Sequence, residues 1–177
     1  MSADPRYRLD FALSRLIRYN GKRQRFFDNL HRLTSFVNAA VGTSAFVTVL
    51  SGWPELAIWL TGLIALAGAA DSVIRFSERA RKYGDQRRRY FDLYCELLRT
   101  PVHEFNEDAF REKRLMIDRD GPPPLRVLDV ICRNEEDIAR GFPREETIHI
   151  GFTRRLLSQI VDLPPKQWLT LQEYRLR

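Results

Sequence analysis

An apolar stretch without any Lys or Arg occupies residues 33–74 of the chain. Its first part, residues 33–52, carries no formal charge over twenty residues. A helix rises about 1.5 Å per residue, so this segment spans about 30 Å, the thickness of the hydrocarbon core of a bilayer. Its second part, residues 55–74, is more apolar, and Asp71 is its one charge after the opening residue. The pattern predicts two membrane-spanning helices.

A short polar turn separates the two apolar segments. Gly52 and Pro54 are expected to break the helix, and Pro54 also suits the first turn of the next helix. Trp53 is typical of the membrane interface, where indole rings collect. Because the turn has only about five residues, the two helices are expected to be antiparallel neighbours. We therefore predict a helical hairpin in which the second span supports the less apolar first one.

A basic amphipathic helix is predicted before the hairpin. Asp4 and Pro5 are typical of a helix N-terminus. Apolar residues at helical spacing then predict a helix over residues 5–19. Asn20 and Gly21 predict its end, because both tolerate the left-handed conformation that closes helices. A new helix is expected to start directly after them and to run into the first span.

After the second span the same helix is predicted to continue to about residue 99, with an apolar stripe along one side. Two partners for this stripe are open: the helical segment 5–30 of the same chain, or another subunit. The stripe consists of Phe76, Ala80, Tyr83, Tyr90, Tyr94 and Leu97, and Phe91 and Leu98 widen it.

The remaining residues, 100–177, are predicted to be a cytoplasmic helical tail with a proline-rich break at 120–124. A helix is expected over about 125–138, closing at Gly141, and another over about 144–161. Within the second of these, residues 147–150 are open to an alternative, extended conformation. A last turn around Trp168 completes the tail. The fold class is therefore all-α: a two-span helical module at residues 1–99 and a small helical tail at 100–177.

Charge fixes the expected orientation. Residues 1–32 and 75–99 each hold eight Lys or Arg residues, whereas the turn holds none. Positive residues favour the cytoplasmic side, so both termini are predicted in the cytoplasm, with the hairpin in the cell inner membrane. The residues that set this orientation are Arg23, Arg25, Arg32, Arg75, Arg79 and Arg81.

The same distribution bears on partners. The net charge of +6 invites nucleic acid as a partner. The basic residues flank a long stretch without positive charge instead of forming one face, so nucleic acid is not expected as the primary partner. A soluble helical protein with a buried central hairpin is a second alternative, and the basic blocks at both ends of the hairpin disfavour it.

Little in the chain indicates catalysis. The three histidines lie far apart, and Cys95 and Cys132 lack metal or redox spacing. No phosphate loop or nucleophile elbow occurs. Residues 135–137 form an acidic run, interpreted as a solvated helix face. We expect no enzyme, no metal and no cofactor.

Polar and small residues inside the spans are more informative, because they let membrane helices associate. Two faces of the second helix predict two neighbours: the hairpin mate and a second copy in a homo-oligomer. The candidates for a pore lining or an interface are Thr34, Ser35, Asn38, Gly42, Thr48, Thr61, Gly68 and Asp71. The small stripe for helix packing consists of Gly62, Ala65, Ala69 and Ser72.

Asp71 has two interpretations. An ionisable residue in a span is a functional candidate. Folding the hairpin about Pro54 places it level with residues 36–38, where Asn38 and Asp71 would form a polar ring at the cytoplasmic mouth of a pore. Alternatively, it is a helix-terminal acid that pairs with Arg75 or reaches water.

This layout resembles the SLATT domains, two-transmembrane effector modules associated with nucleotide-signalling and SLOG-sensor conflict systems of bacteria. The resemblance covers about residues 15–98. It includes Arg-Phe-Phe-Asp-Asn-Leu at 25–30 and Arg-Arg-Tyr-Phe-Asp-Leu-Tyr-Cys-Glu-Leu-Leu at 88–98, and Cys-Arg-Asn-Glu at 132–135 is similar to tails of some members.

The resemblance implies a pore-forming effector that oligomerises and permeabilises or depolarises the cell membrane in anti-phage defence. A separately encoded partner is then expected to sense the signal. The alternative is a non-conducting membrane anchor or scaffold whose cytoplasmic helices recruit a partner protein.

Overall fold

The computed structural model describes residues 4–41 and 52–163, and within them every regular element is a helix. The all-α fold class predicted from the sequence is confirmed. The helices are α1 (Pro5–Val41), α2 (Pro54–Ile74), α3 (Phe76–Arg99), α4 (Glu107–Arg119), α5 (Arg126–Ala139) and α6 (Phe152–Leu157), with 3₁₀ turns at Val102–Glu104 and Arg144–Glu146.

The chain divides into two compact units. Unit 1 comprises Met1–Lys22 with Tyr83–Arg177, and unit 2 comprises Arg23–Lys82. This division differs from the boundary expected near residue 99, because the N-terminal segment packs with the C-terminal part of the chain. The long helices α1 and α3 each contribute to both units.

Helix α1 is longer than the sequence predicts. The expected start is confirmed, since Asp4 Oδ1 accepts a hydrogen bond from the backbone N–H of Arg6 at 3.0 Å. The expected end at Asn20 and Gly21 is wrong. The Asn20 side chain donates to the carbonyl of Leu16, one turn earlier, so it stays inside the helix. Gly21 is buried beside Arg87, and a Cβ there would lie 3.4 Å from Arg87 Nε, so this glycine permits close packing.

The expected continuous helix after the second span is also interrupted. Arg75 adopts the left-handed conformation, with φ 55°, and its N–H donates to the carbonyl of Asp71. The Asp71 carboxylate accepts a hydrogen bond from the N–H of Phe76 at 3.2 Å. The left-handed residue Arg75 separates α2 from α3, and the Asp71 carboxylate satisfies a backbone N–H that the break leaves free at the start of α3.

The apolar stripe of α3 packs against α1 of the same chain, which is the first of the two partners predicted for it. In unit 1 a buried core joins α1 to α3 and α4. Phe91 and Leu98, expected to widen the stripe, are 53% and 59% exposed, while Leu93 is buried. The core residues are Leu13, Tyr90, Leu93, Leu97 and Phe110, with Leu9, Leu16, Ile17 and Tyr94 against them.

The tail agrees with the sequence in part. The break at 120–124 and helix α5 are confirmed, and Gly141 has the positive φ (87°) expected of a helix-closing glycine. Helix α4 was not predicted; Asn106 caps it by accepting hydrogen bonds from the N–H groups of Asp108 and Ala109. The helix predicted over 144–161 is wrong, since α6 is confined to six residues.

In the described ranges, 4–41 and 52–163, no helix has both the length and the apolar character that a membrane crossing requires. Helix α2 nevertheless begins at Pro54, as predicted for the second segment. Gly42, Thr48 and Trp168 lie outside the described residues.

Candidate functional site

The surface of unit 2 carries large apolar side chains that water surrounds in a single copy of the chain. On α2, Trp59 is 81% exposed and Val73 is 83% exposed. On the last turns of α1, Phe36 is 71% exposed. A run of exposed apolar residues on neighbouring turns marks a contact surface for lipid or protein. The other exposed apolar residues of this surface are Leu33, Trp53, Ile58 and Leu66.

A stripe of small residues lies next to these apolar side chains on α2. Gly62, Ala65, Ala69 and Ser72 recur at helical spacing, and all four are exposed. Apart from the adjoining backbone of α2, no atom of the described residues lies within 4 Å of the position that a Cβ on Gly62 would occupy. A neighbouring helix could therefore approach this stripe closely. The half-buried side of α2, which includes Ile64, is a different face of the helix.

Asp71 lies on the half-buried side of α2, together with Gly68. Its Oδ2 is 3.7 Å from Nδ1 of His31 on α1. The expectation that Asp71 lies level with residues 36–38 is therefore wrong: it is level with His31, about two helical turns earlier than Asn38. The alternative, a helix-terminal acid, holds in part: the Asp71 carboxylate accepts a hydrogen bond from the N–H of Phe76, but its pairing with Arg75 is wrong, since the Arg75 guanidinium faces Glu78 at 3.4 Å.

The other predicted pore candidates fall into three groups. Ser35, Asn38 and Thr61 are exposed. Thr34 is buried, at 6% exposure, and its hydroxyl donates to the carbonyl of Leu30, so its polarity is satisfied within α1. Gly42 and Thr48 belong to the part of the chain that is not described. Ser35, Asn38 and Thr61 are therefore accessible for an interface, whereas the buried Thr34 is not.

Of the six arginines expected to set the orientation, Arg23 is buried and the other five are exposed. The Arg23 guanidinium lies 4.7 Å from the ring centroid of Phe27. The Arg79 guanidinium approaches the same ring at 5.8 Å. Both contacts are cation–π interactions, which tolerate partial removal from water. The remaining arginines of this set, Arg25, Arg32, Arg75 and Arg81, are exposed.

Unit 1 contains a buried charge network that the sequence did not reveal. Glu136, 6% exposed, accepts hydrogen bonds from Arg18 Nη2 and from Arg140 Nε, both at 2.9 Å. Arg140 also pairs with Asp10 at 2.7 Å. The interpretation of residues 135–137 as a solvated face is wrong, because α5 turns Glu136 toward α1. Two acids of α5, Asp129 and Glu135, also pair with α1, through Arg15 and Lys22.

The environment of unit 1 shifts the pKa of several groups. Burial opposes the charge of Arg140, but its hydrogen bonds to Glu136 and Asp10 outweigh burial and raise the pKa of the guanidinium. Burial raises the pKa of the Cys132 thiol to about 12. Burial, reinforced by the hydrogen bond that it donates to Asp118, raises the pKa of Tyr90 well above its ordinary value.

A cleft opens in unit 1 between α5 and the chain that follows it. Its volume is about 570 Å³. The two sides are held together by Asn134, whose amide donates to the carbonyl of Ile148 at 2.7 Å and accepts from the N–H of Ile148 at 3.1 Å. This pair of bonds fixes the extended stretch expected at 147–150. The lining includes Arg18, Arg144, Arg155, Ile131, Ile138 and Ile148.

Comparison with known proteins adds no relative: no family model, curated protein or solved structure matches this chain. Within the described residues, no three His, Cys, Asp or Glu side chains are grouped so as to hold a metal ion. The two surfaces above, the apolar one of unit 2 and the cleft of unit 1, are the candidate sites.

Proposed function

We propose that this chain is a membrane-embedded, pore-forming effector of a bacterial anti-phage or conflict system. In this proposal residues 33–74 form the two-span hairpin of the inner membrane, and both termini are cytoplasmic. Copies of the chain assemble and permeabilise or depolarise the membrane when a separately encoded partner senses a signal. The single observation that carries the proposal is the exposed face of α2, where large apolar side chains adjoin a stripe of small ones.

The large apolar side chains support the membrane part of the proposal. Leaving Trp59, Leu66 and Val73 in water is unfavourable by about 1.5–3 kcal/mol for each side chain that could be buried. In a bilayer the same side chains face hydrocarbon. The exposed cations at both ends of the hairpin, such as Arg32 and Arg81, suit anionic headgroups on the cytoplasmic side.

The small stripe supports the oligomeric part. Within a membrane, small residues allow the backbones of two helices to approach closely, and polar side chains add hydrogen bonds across the contact. Gly62 and Ala69 are open on α2, while Asp71 and Gly68 face the other way. We infer that the stripe meets a second copy. Ser35, Asn38 and Thr61 then supply polarity at that interface or along a pore.

Leakage from liposomes tests the proposal. Purified chain reconstituted in liposomes is expected to release an entrapped dye or to collapse an ion gradient as the protein-to-lipid ratio rises. Gly62→Leu with Ala69→Leu should reduce leakage, and the conservative control Ile74→Leu, at an exposed position about a third of a turn around α2 from this stripe, should not. No leakage in any oligomeric state would reject the pore.

A membrane scaffold remains the second candidate, since unit 1 is a folded body with its own core and ion pairs. Replacing residues 33–74 with an unrelated two-span anchor separates the two functions. A scaffold keeps its cellular effect after this exchange, whereas an effector that acts through its own hairpin loses it. A membrane-potential dye in cells reports the outcome directly.

A further inference from the structure

The cleft of unit 1 has cationic groups that no residue of the described ranges pairs with. The guanidinium groups of Arg144 and Arg155 make no ion pair or hydrogen bond with any described residue. Nε of Arg18, a third lining residue, is buried and likewise donates to no described atom. Elsewhere in unit 1, arginines near α5 are paired, as Arg15 and Arg140 are. The cleft therefore keeps hydrogen-bond donors that an anion can accept.

The acid in the cleft does not cancel these charges. Glu135 lines the cleft, but it pairs with Lys22 at 2.6 Å. The other carboxylate near Arg18 is Glu136, which is shared with Arg140. The positive charge that remains toward the opening comes from Arg144 and Arg155. Arginine is well suited to phosphate because its planar group donates two parallel hydrogen bonds.

Beside these charged groups and the polar Asn134, Thr147 and His149, the lining is apolar, and this apolar part limits the kind of anion. Ile131, Ile138 and Ile148 face the same space, and Asn134 spends its amide on the backbone of Ile148. An inorganic ion or an extended polyanion would leave this wall unused. A volume of about 570 Å³ lies in the range of small-molecule sites.

We propose that this cleft binds a small organic phosphate, whose phosphate group pairs with Arg144 and Arg155 and whose apolar or planar body lies against the isoleucines. Arg18 Nε completes the set of donors at the floor. This inference does not depend on the proposed membrane function, since every residue of the cleft belongs to unit 1.

Calorimetric titration of the full chain in phosphatidylcholine nanodiscs tests the site, with phenyl phosphate as the probe. Phenyl phosphate should bind about tenfold more tightly than inorganic phosphate, because the ring covers apolar surface. It should also bind more tightly than phenol, which lacks the anion, and its affinity should fall as salt rises.

Arg144→Gln with Arg155→Gln should lower the affinity for phenyl phosphate by at least about tenfold. The control, Arg99→Gln with Arg111→Gln, removes the same charge from exposed positions outside the cleft and should leave the affinity unchanged. Thermal unfolding of both double variants shows whether they remain folded. The site is rejected if phenyl phosphate does not bind, if phenol binds equally well, or if both double variants lose affinity alike.

Discussion

The two units differ in how much of their apolar surface they bury within one copy of the chain. Unit 1 hides its apolar side chains, such as Leu13 and Leu97, and joins its helices with charges, including the buried carboxylate of Glu136. Unit 2 leaves Trp59 and Val73 exposed. Its interhelical contact between the His31 and Asp71 side chains is looser, at 3.7 Å.

This contrast teaches where each unit obtains its stability. Unit 1 has the construction of a water-soluble domain, in which apolar burial and satisfied charges act together. Unit 2 exposes large apolar side chains, so the burial of apolar surface within one copy is incomplete. In the proposed assembly, lipid or a second copy supplies the missing contacts.

Removal of the buried acid should produce the largest effect. Glu136→Ala leaves the guanidinium groups of Arg18 and Arg140 without their shared partner, which costs about 3 kcal/mol or more. Thermal unfolding followed by circular dichroism in detergent measures the loss. Glu145→Ala, at an exposed position, is the control and should change stability by less than about 0.5 kcal/mol. Equal melting of the two variants would mean that the network contributes nothing.

Alkaline pH should weaken unit 1 next. Burial raises the pKa of Cys132 to about 12 and also raises that of Tyr90, so both groups hold their protons in the folded state. The unfolded chain releases these protons at lower pH. The stabilisation is therefore complete below about pH 8.5 and is lost as pH rises, by about 3 kcal/mol near pH 10.5.

The measurement for this effect is the unfolding transition at a series of pH values from 7.5 to about 10.5. Cys132→Ala should flatten the alkaline decline, although the variant is less stable at neutral pH because a buried group is lost. An undiminished decline in this variant would assign it to other groups.

A change on the small stripe should have a smaller effect, confined to association. Gly62→Leu with Ala69→Leu prevents close approach between copies and should weaken the oligomer by about 1–2 kcal/mol. Cross-linking in detergent at graded protein concentrations measures the shift. Ile74→Leu, at an exposed position about a third of a turn around α2 from the stripe, is the control. Unfolding of unit 1 should be the same in all three proteins; a change there would break the separation between the units.

The smallest effect is expected at Gly21, which was predicted to end a helix but lies inside α1. Gly21→Ala should stabilise the chain by up to about 1 kcal/mol, because alanine favours the helix and the flexible Arg87 side chain can move aside. Its thermal midpoint should therefore rise slightly. A marked loss of stability would show that the Arg87 side chain cannot move to make room for the added methyl group.

The sequence predicts the elements well where local chemistry determines them. Asp4 caps α1, Pro54 opens α2, and the glycine at 141 closes α5, because each residue acts on its own backbone. It fails at Asn20 and Gly21, where the same residue types serve side-chain bonding and close packing. Tertiary contact decides between these uses, and one sequence does not display it.

The candidate sites show the same limit. That Gly62, Ala65, Ala69 and Ser72 share one face of α2 follows from helical spacing alone and was predictable. The partner of Asp71 was not: it depends on the level of α1 against α2, and a shift of two turns exchanges Asn38 for His31. The Glu136 network and the cleft near Arg144 join residues that are distant in the chain, so no short motif could reveal them.

Cysteine labelling of intact cells with a membrane-impermeant maleimide is the most direct test of the central claim that residues 33–74 cross the membrane and return. Trp53→Cys places a thiol at the exposed turn, and Glu104→Cys places one at an exposed position of unit 1. We predict that position 53 is labelled in intact cells and that position 104 is labelled only after permeabilisation. Labelling of both positions only after permeabilisation would contradict the hairpin.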